Sequence, residues 1–247
     1  MGSKKMWVII SISALLVLAL GFYVYKRILV LNYTPTAYES KVIDYFKEIA
    51  LQSEIDERVN RTIKWNKPML IYVVKDDENR QQMDYIRNSI AKINELATDG
   101  FKIELVEDEN EKNTTLYLLN REKAEKVEPN LFKGVDSTFS GLSEVRYNSR
   151  MQITNASIFI DIEEPIEVQE SIILEEITQS LGLMYDSNKY SNSIFYENQT
   201  IENIHNTDFS QIDREIIRLL YHPKMKAGKT AKGCDKTLKE IFYHKPR

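Results

Sequence analysis

The segment Ser171–Asp186 constrains the fold more than any other stretch of the chain, because it has an apolar stripe at helical spacing and a glycine near its end. At about 100° per residue, its apolar side chains share one face of a helix and its polar side chains share the opposite face. The segment therefore predicts an amphipathic helix that packs on the core and ends at a turn around Gly182. The apolar stripe consists of Ile173, Leu174, Ile177, Leu181 and Met184, and the polar face carries Glu175, Glu176 and Gln179.

The polar face has the spacing of the motif H-E-x-x-H-x-x-G. In that motif two histidines one helical turn apart bind zinc, and the glutamate between them acts as general base. Here Glu175 stands at the first histidine position, Glu176 at the glutamate and Gln179 at the second histidine, while Gly182 matches the glycine. The frame of the motif is present without its histidines.

The segments on either side of the predicted helix resemble those of zincin metallopeptidases, and of metzincins in particular. Ala156–Ile162 is similar to the strand beside the active-site helix, and Ser193–Tyr196 to the Met-turn, with Phe195 at the methionine position. Asp208–Tyr221 is similar to the C-terminal helix. The third metzincin ligand position falls on Tyr185, one residue before Asp186.

A closer resemblance comes from the string E-E-x-T-Q-x-L-G-L-x-x-D, followed by S-I-F-Y and by D-x-x-x-I-x-x-L-Y-H-P. It is similar to an uncharacterised bacterial family, a domain of unknown function that is itself likened to zincins. The resemblance covers about Asn155–Lys226 and implies a degenerate zincin-like domain.

The expected cleft residues are Glu175, Gln179 and Asp186, with Glu176 as the catalytic base if the domain is active. An amide oxygen is a poor zinc ligand, so we expect no zinc site and no cofactor, and a different divalent ion is the alternative. His205, in the loop before the last long helix, is the histidine that could approach this cleft. The simpler interpretation of the polar face is a solvated helix surface.

The N-terminal residues 1–32 predict a membrane anchor. Trp7–Tyr25 runs for nineteen residues without a charge, which at 1.5 Å per residue spans about 30 Å of hydrocarbon. Ala19–Gly21 offers a weak signal-peptide cleavage site, but Phe22–Tyr25 continues the apolar run past it, which favours an uncleaved anchor. We expect a single-pass protein of the bacterial inner membrane with its C-terminal domain outside the cytoplasm.

The remaining sequence predicts an α+β fold, a zincin-like mixed sheet packed on helices, over residues 33–226. Arg121–Arg150 shows turn signals and no clear period, so a long loop over the cleft is one interpretation. Cys234 is the one cysteine, which excludes an intramolecular disulfide and a cysteine-based zinc cluster. The predicted strands are Met69–Val74, Phe101–Val106, Thr114–Leu119 and Ala156–Ile162, and the predicted helices before the motif are Tyr38–Gln52 and Asp77–Thr98.

Residues 227–247 predict a basic tail. From Pro223 onward the chain has seven Lys and one Arg against Asp235 and Glu240, whereas its net charge is −4. The simplest interpretation is a solvated tail with a short helix around Leu238–Tyr243, and contact with anionic headgroups near the anchor is the alternative. The acidic balance and the absence of a reader motif argue against nucleic-acid binding.

These features favour a membrane-anchored envelope protein whose degenerate zincin-like domain has a non-peptidase binding or assembly role, with an envelope protein or peptide as partner. The alternative is a peptidase-like hydrolase in which Glu175, Gln179 and Asp186 hold a hard divalent ion and Glu176 is the general base. A third interpretation is an assembly factor in which the motif helix is only scaffold.

Overall fold

The computed structural model describes residues 2–53, 59–76, 79–135, 139–197 and 206–245, with residues 2–15 and Lys26 described by their backbone alone. Within these residues the chain forms seven α-helices and six β-strands. The helices are α1 (Gly2–Leu31), α2 (Ala37–Ala50), α3 (Arg80–Leu96), α4 (Arg121–Val127), α5 (Ile166–Gln179), α6 (Gln211–Leu220) and α7 (Ala231–His244). The strands are β1 (Lys64–Trp65), β2 (Met69–Lys75), β3 (Ile103–Leu105), β4 (Thr114–Leu119), β5 (Gly141–Tyr147) and β6 (Gln152–Asp161).

The strands form one mixed sheet in the order β1-β6-β4-β2-β3, and every neighbouring pair along this path is parallel. β5 lies outside the path and pairs antiparallel with β6, from Gly141 opposite Ile160 to Tyr147 opposite Ile153. All six residues of β4 are buried, as expected for a parallel strand with neighbours on both sides and helices on its faces. The predicted mixed sheet packed on helices is confirmed at this level.

The motif helix is α5, and it begins five residues earlier than its apolar stripe alone suggested, directly after Pro165. It packs against α3 and lies over β5 and β6. The stripe enters the main hydrophobic core as predicted, since Ile173, Leu174 and Ile177 are all buried. Burying an apolar side chain of this size contributes roughly 1.5 to 3 kcal/mol, so this face holds the helix to the domain.

The segment Arg121–Arg150 is not the long loop that the sequence suggested, because it contains α4 and the edge strand β5. Every residue of β5 is partly buried except Arg146, which is exposed. The sequence of β5 therefore shows neither a clear alternation of apolar and polar residues nor a continuous apolar run. Its strand conformation depends on pairing with β6.

The C-terminal segment is not a solvated tail. Instead, α7 runs for 14 residues and buries Cys234, Leu238, Ile241 and Phe242 in the main core. It contacts α2 and α1, and the Tyr243 ring lies edge-on to Tyr33 with 5.9 Å between centroids. The buried positions recur at helical spacing, but the lysines between them lowered the apparent hydrophobicity of the segment.

Among the residues with described side chains, no helix has the length and apolar character required to cross a membrane. Side chains along the second half of α1 are nevertheless exposed and apolar, with Leu16 66% exposed and Tyr25 60% exposed.

Candidate functional site

The C-terminal end of α5 is fixed by contacts with the first and last parts of the domain. The Trp65 indole N–H donates to the Ser180 carbonyl at 3.0 Å, and the Tyr221 hydroxyl donates to the Leu181 carbonyl at 2.9 Å. The last carbonyls of a helix have no partner within the helix, so both bonds satisfy groups that would otherwise be buried without one. Trp65 and Tyr221 therefore determine where the motif helix stops.

Gly182 allows the chain to turn at this point. Its φ is +104°, a conformation that residues with a Cβ atom rarely adopt. A Cβ at this position would also collide with the Ile63 carbonyl oxygen and lie 2.8 Å from its carbonyl carbon. The glycine of the motif is thus required both by backbone conformation and by the close approach of the segment that leads into β1.

Glu176, at the position of the catalytic base, is only 8% exposed. It packs against β5, because a Cβ added at Gly141 would lie 2.6 Å from Glu176 Oε1 and would collide with the side chain of Ile172. The glycine at the start of β5 therefore lets the strand approach the polar face of α5. That face is covered by the strand and is not the solvated surface of the simpler interpretation.

Gln179, at the second histidine position, joins two parts of the site. Its Nε2 donates to Asp186 Oδ1 at 2.8 Å, and its Oε1 accepts from the Ser143 hydroxyl at 3.3 Å. We call Ser143, Gln179 and Asp186 the cleft link. The structure thus brings together two of the predicted cleft residues, Gln179 and Asp186, and adds Ser143 from the edge strand. The third predicted cleft residue, Glu175, is half-buried on α5.

This set of donors does not fit a catalytic zinc ion. Such a site has three protein ligands, typically imidazole nitrogens or carboxylates, and an open position for water. The Gln179 amide instead uses its nitrogen to bind Asp186, and across the described residues no group of three His, Cys, Asp or Glu side chains could hold a metal ion. His205, the predicted additional candidate, lies outside the described residues.

Sequence reasoning missed a buried network centred on Asp213, behind the turn that follows α5. Asp213 Oδ1 accepts from the Ser193 hydroxyl at 2.6 Å, and Asp213 Oδ2 accepts from the backbone N–H groups of Ile194 and Ser210. The Tyr45 hydroxyl lies 2.7 Å from Ser193 Oγ. Burial raises the pKa of Asp213, and the hydrogen bonds from Ser193 and Ser210 oppose this rise.

This network anchors the segment at the Met-turn position to the start of α6, where Ser210 and Asp213 form a capping box. Phe195, at the methionine position, is fully buried. The sequence signal was the pair Ser210 and Asp213 three residues apart before an apolar run, which indicates a helix start and not a buried carboxylate.

Comparison with known proteins gives a family match and a similarity to solved structures. No curated protein matches the chain. The solved structure of myroilysin is similar with a TM-score of 0.40 and 9% sequence identity, over 67% of this chain and 97% of that chain. The family described as "Protein of unknown function (DUF2927)" matches residues 39–240. Since this match spans most of the sequence, the chain belongs to the DUF2927 family of proteins of unknown function.

Proposed function

We propose that the chain is a membrane-anchored envelope protein whose folded domain binds a protein or peptide partner and does not hydrolyse peptides. The observation that carries this proposal is the cleft link, in which Gln179 bonds to Ser143 on one side and to Asp186 on the other. In a zincin peptidase, the position of Gln179 would carry a metal ligand. In this chain Gln179 instead links α5 to the edge strand and to the turn that follows the helix.

The environment of Glu176 supports the same conclusion. A general base must come within about 2.6 to 3.2 Å of the proton donor that it deprotonates, or reach it through one water molecule. Glu176 is buried beneath β5, against Gly141 and Ile172, so its carboxylate does not face an open cleft. The hydrolase alternative would require β5 to move away from α5 before water could reach this group.

The edge strand β5 supplies a surface for a partner. It pairs with β6, and an edge strand of this kind offers backbone groups to an extended peptide, while side chains along it select the sequence. Arg146 is exposed on β5 and lies 4.0 Å from Glu144, so the strand presents both charges near its end. A peptide in the envelope that pairs with β5 would receive its main-chain bonds from this strand.

The anchor is supported by the uncharged run Trp7–Tyr25 in the sequence and by the continuous helical backbone of α1. Exposed apolar side chains from Leu16 to Tyr25 would be costly in water and favourable in lipid. We expect α1 to cross the bacterial inner membrane once, with the domain outside the cytoplasm. In intact spheroplasts, external protease should digest the domain; a domain that is cleaved only after lysis would contradict this orientation.

Site-directed photocrosslinking in cells tests the binding role. A crosslinking amino acid at Arg146, on β5, should give one discrete adduct with an envelope protein. The same amino acid at Lys102, which is exposed immediately before β3, should give none. Equal patterns at the two positions would remove β5 as the binding surface.

Peptide cleavage by the full-length protein tests the rival function. The purified chain is incubated with a peptide library and added Zn²⁺, Mg²⁺ or Ca²⁺, and products are measured by mass spectrometry, with Glu176→Gln as the matched control. We expect no cleavage that depends on Glu176. Metal-dependent cleavage that Glu176→Gln abolishes would establish the hydrolase.

A further inference from the structure

A groove of about 640 Å³ lies between α1 and α7, on a different part of the molecule from the cleft link. On the α1 side its walls include Tyr23, Val30 and Leu31, which are largely apolar. The groove is therefore amphipathic: one wall offers apolar surface and the other carries most of the charge. Its cationic side chains are Arg27 from α1 and Lys232, Lys236 and Lys239 from α7.

The three lysines of α7 share one helix face because they are spaced by four and three residues. Among the described residues, neither they nor Arg27 forms an ion pair, although Arg27 donates to the Tyr23 hydroxyl at 3.3 Å. Long basic side chains that line one face and have no carboxylate partner form a site for an anion.

The two acidic residues in the groove wall are already engaged. Asp235 accepts from Lys47 at 3.0 Å, and Glu240 accepts from Lys224 at 2.7 Å. The bond from Lys224 lowers the pKa of Glu240, so this carboxylate is ionised and paired at neutral pH. Neither Lys47 nor Lys224 is among the groove residues, so each acid has its hydrogen-bonded cation outside the groove, although Lys236 also lowers the pKa of Glu240. Four cationic side chains therefore face two acids that are already paired.

The groove also lies at a defined height on α1. At 1.5 Å per residue, the groove residues from Tyr23 to Leu31 span about 12 Å along the helix axis, and they begin at the end of the uncharged run Trp7–Tyr25. The headgroup layer on each side of a bilayer is several ångströms thick and adjoins the hydrocarbon at this level. An anion in the groove would therefore lie where lipid phosphates lie.

We propose that this groove binds the phosphate headgroup of an anionic phospholipid, an inference that rests on the proposed membrane anchor. Arg27 and the α7 lysines would donate to the phosphate oxygens, and Val30 and Leu31 would cover the glycerol and the first acyl carbons. Binding would hold α7, and through its buried face the domain, against the membrane surface. The charge complementarity and the apolar wall together favour a lipid over a free anion.

Native mass spectrometry of the full-length chain, extracted in mild detergent, tests the proposal. The probes are phosphatidylglycerol and phosphatidylcholine with identical acyl chains, and glycerol phosphate as the headgroup without chains. We expect one phosphatidylglycerol per chain, retained at least about tenfold better than phosphatidylcholine. Because each basic group near an anionic surface contributes about fivefold in affinity, the triple variant Lys232→Gln, Lys236→Gln, Lys239→Gln should bind about a hundredfold more weakly.

Two matched variants control for charge and folding. Replacing the exposed lysines Lys67, Lys102 and Lys133 by Gln makes the same change in net charge away from the groove and should leave lipid retention unchanged. Replacing the three groove lysines by Arg preserves the charge and should retain the lipid. Equal retention of both lipids, full retention by the triple Gln variant, or competition by glycerol phosphate at the concentration of the lipid would each overturn the proposal.

Fractionation of carbonate-washed membranes separates this proposal from the one on which it rests. A chain that stays in the membrane fraction but retains no anionic lipid would refute the groove site alone. A chain that appears in the supernatant would refute the anchor, and the groove site with it.

Discussion

Replacing Gly182 by Ala should destabilise the domain far more than the same substitution at another glycine with positive φ. At Gly182 the added Cβ meets the Ile63 backbone, 2.8 Å from the carbonyl carbon, whereas carbon atoms in contact are about 3.5 to 4.0 Å apart. Ile63 is itself buried and leads into β1, so the backbone has little freedom to move. Gly100 is the matched control, because its φ is +92° and nothing lies within 4 Å of an added Cβ.

The two variants separate two costs. A Cβ on a residue with left-handed backbone conformation costs roughly 1 to 2 kcal/mol, and both variants incur this cost. Overpacking against a fixed neighbour costs a further 1 to 3 kcal/mol, and Gly182→Ala alone incurs it. We therefore expect losses in the free energy of unfolding of about 1 to 2 kcal/mol for Gly100→Ala and about 2 to 5 kcal/mol for Gly182→Ala.

Urea unfolding of the full chain in mild detergent measures both losses, with Trp fluorescence as the signal. The background is Trp7→Phe, so that the signal comes from Trp65, which is fully buried and bonded to the end of α5. Losses that agree within about 0.5 kcal/mol would show that the Ile63 backbone yields without cost. In that case the turn of the motif would not be fixed against β1, and the close approach would not explain the glycine.

Three further predictions follow from the described contacts. Burial raises the pKa of the Cys234 thiol to about 11. A thiol reagent at pH 8 should therefore label the folded chain about a hundredfold more slowly than the urea-unfolded chain. Equal labelling rates would mean that α7 is not packed on the core. Leu174→Asp should prevent stable folding, because an unpaired buried carboxylate costs several kcal/mol. Thr178→Ala should cost only about 1 kcal/mol, because the Thr178 hydroxyl bonds to its own helix. Equal melting temperatures of the two variants would contradict the assigned helix face. Calorimetric titration should detect no tight zinc binding to the native chain, because Gln179 offers only an amide, which bonds to Asp186; tight binding that Glu175→Ala abolishes would instead support the hydrolase.

Local sequence patterns were sufficient to predict a helix or strand when its buried residues recur at the spacing of that helix or strand. The predicted strand Thr114–Leu119 has the bounds of β4, and the stripe of the motif helix is buried. β5 escaped prediction because its residues are almost uniformly half-buried, so neither an alternating nor a continuous apolar pattern marks it. The sequence predicted only the last part of α7, around Leu238–Tyr243, because lysines lie between the core residues of this helix.

The sequence was sufficient to predict which residues share the polar face of α5, but not the hydrogen bonds that they form. Helical geometry places Glu175, Glu176 and Gln179 on one side of α5, and the structure places Glu176 and Gln179 against β5. That Gln179 bonds to Asp186 depends on the turn after the helix, and that it bonds to Ser143 depends on a strand 36 residues earlier. Periodicity contains no information about contacts that tertiary packing creates.

The bonds that end α5 impose an order on biosynthesis. The Trp65 indole is synthesised 115 residues before its acceptor Ser180, but the Tyr221 hydroxyl follows its acceptor Leu181 by 40 residues. The final turn of α5 is therefore synthesised before the side chain that completes its hydrogen bonds. Until Tyr221 has been added, the Leu181 carbonyl lacks the donor that it has in the folded domain. The domain therefore completes its fold late, after most of the chain has been synthesised.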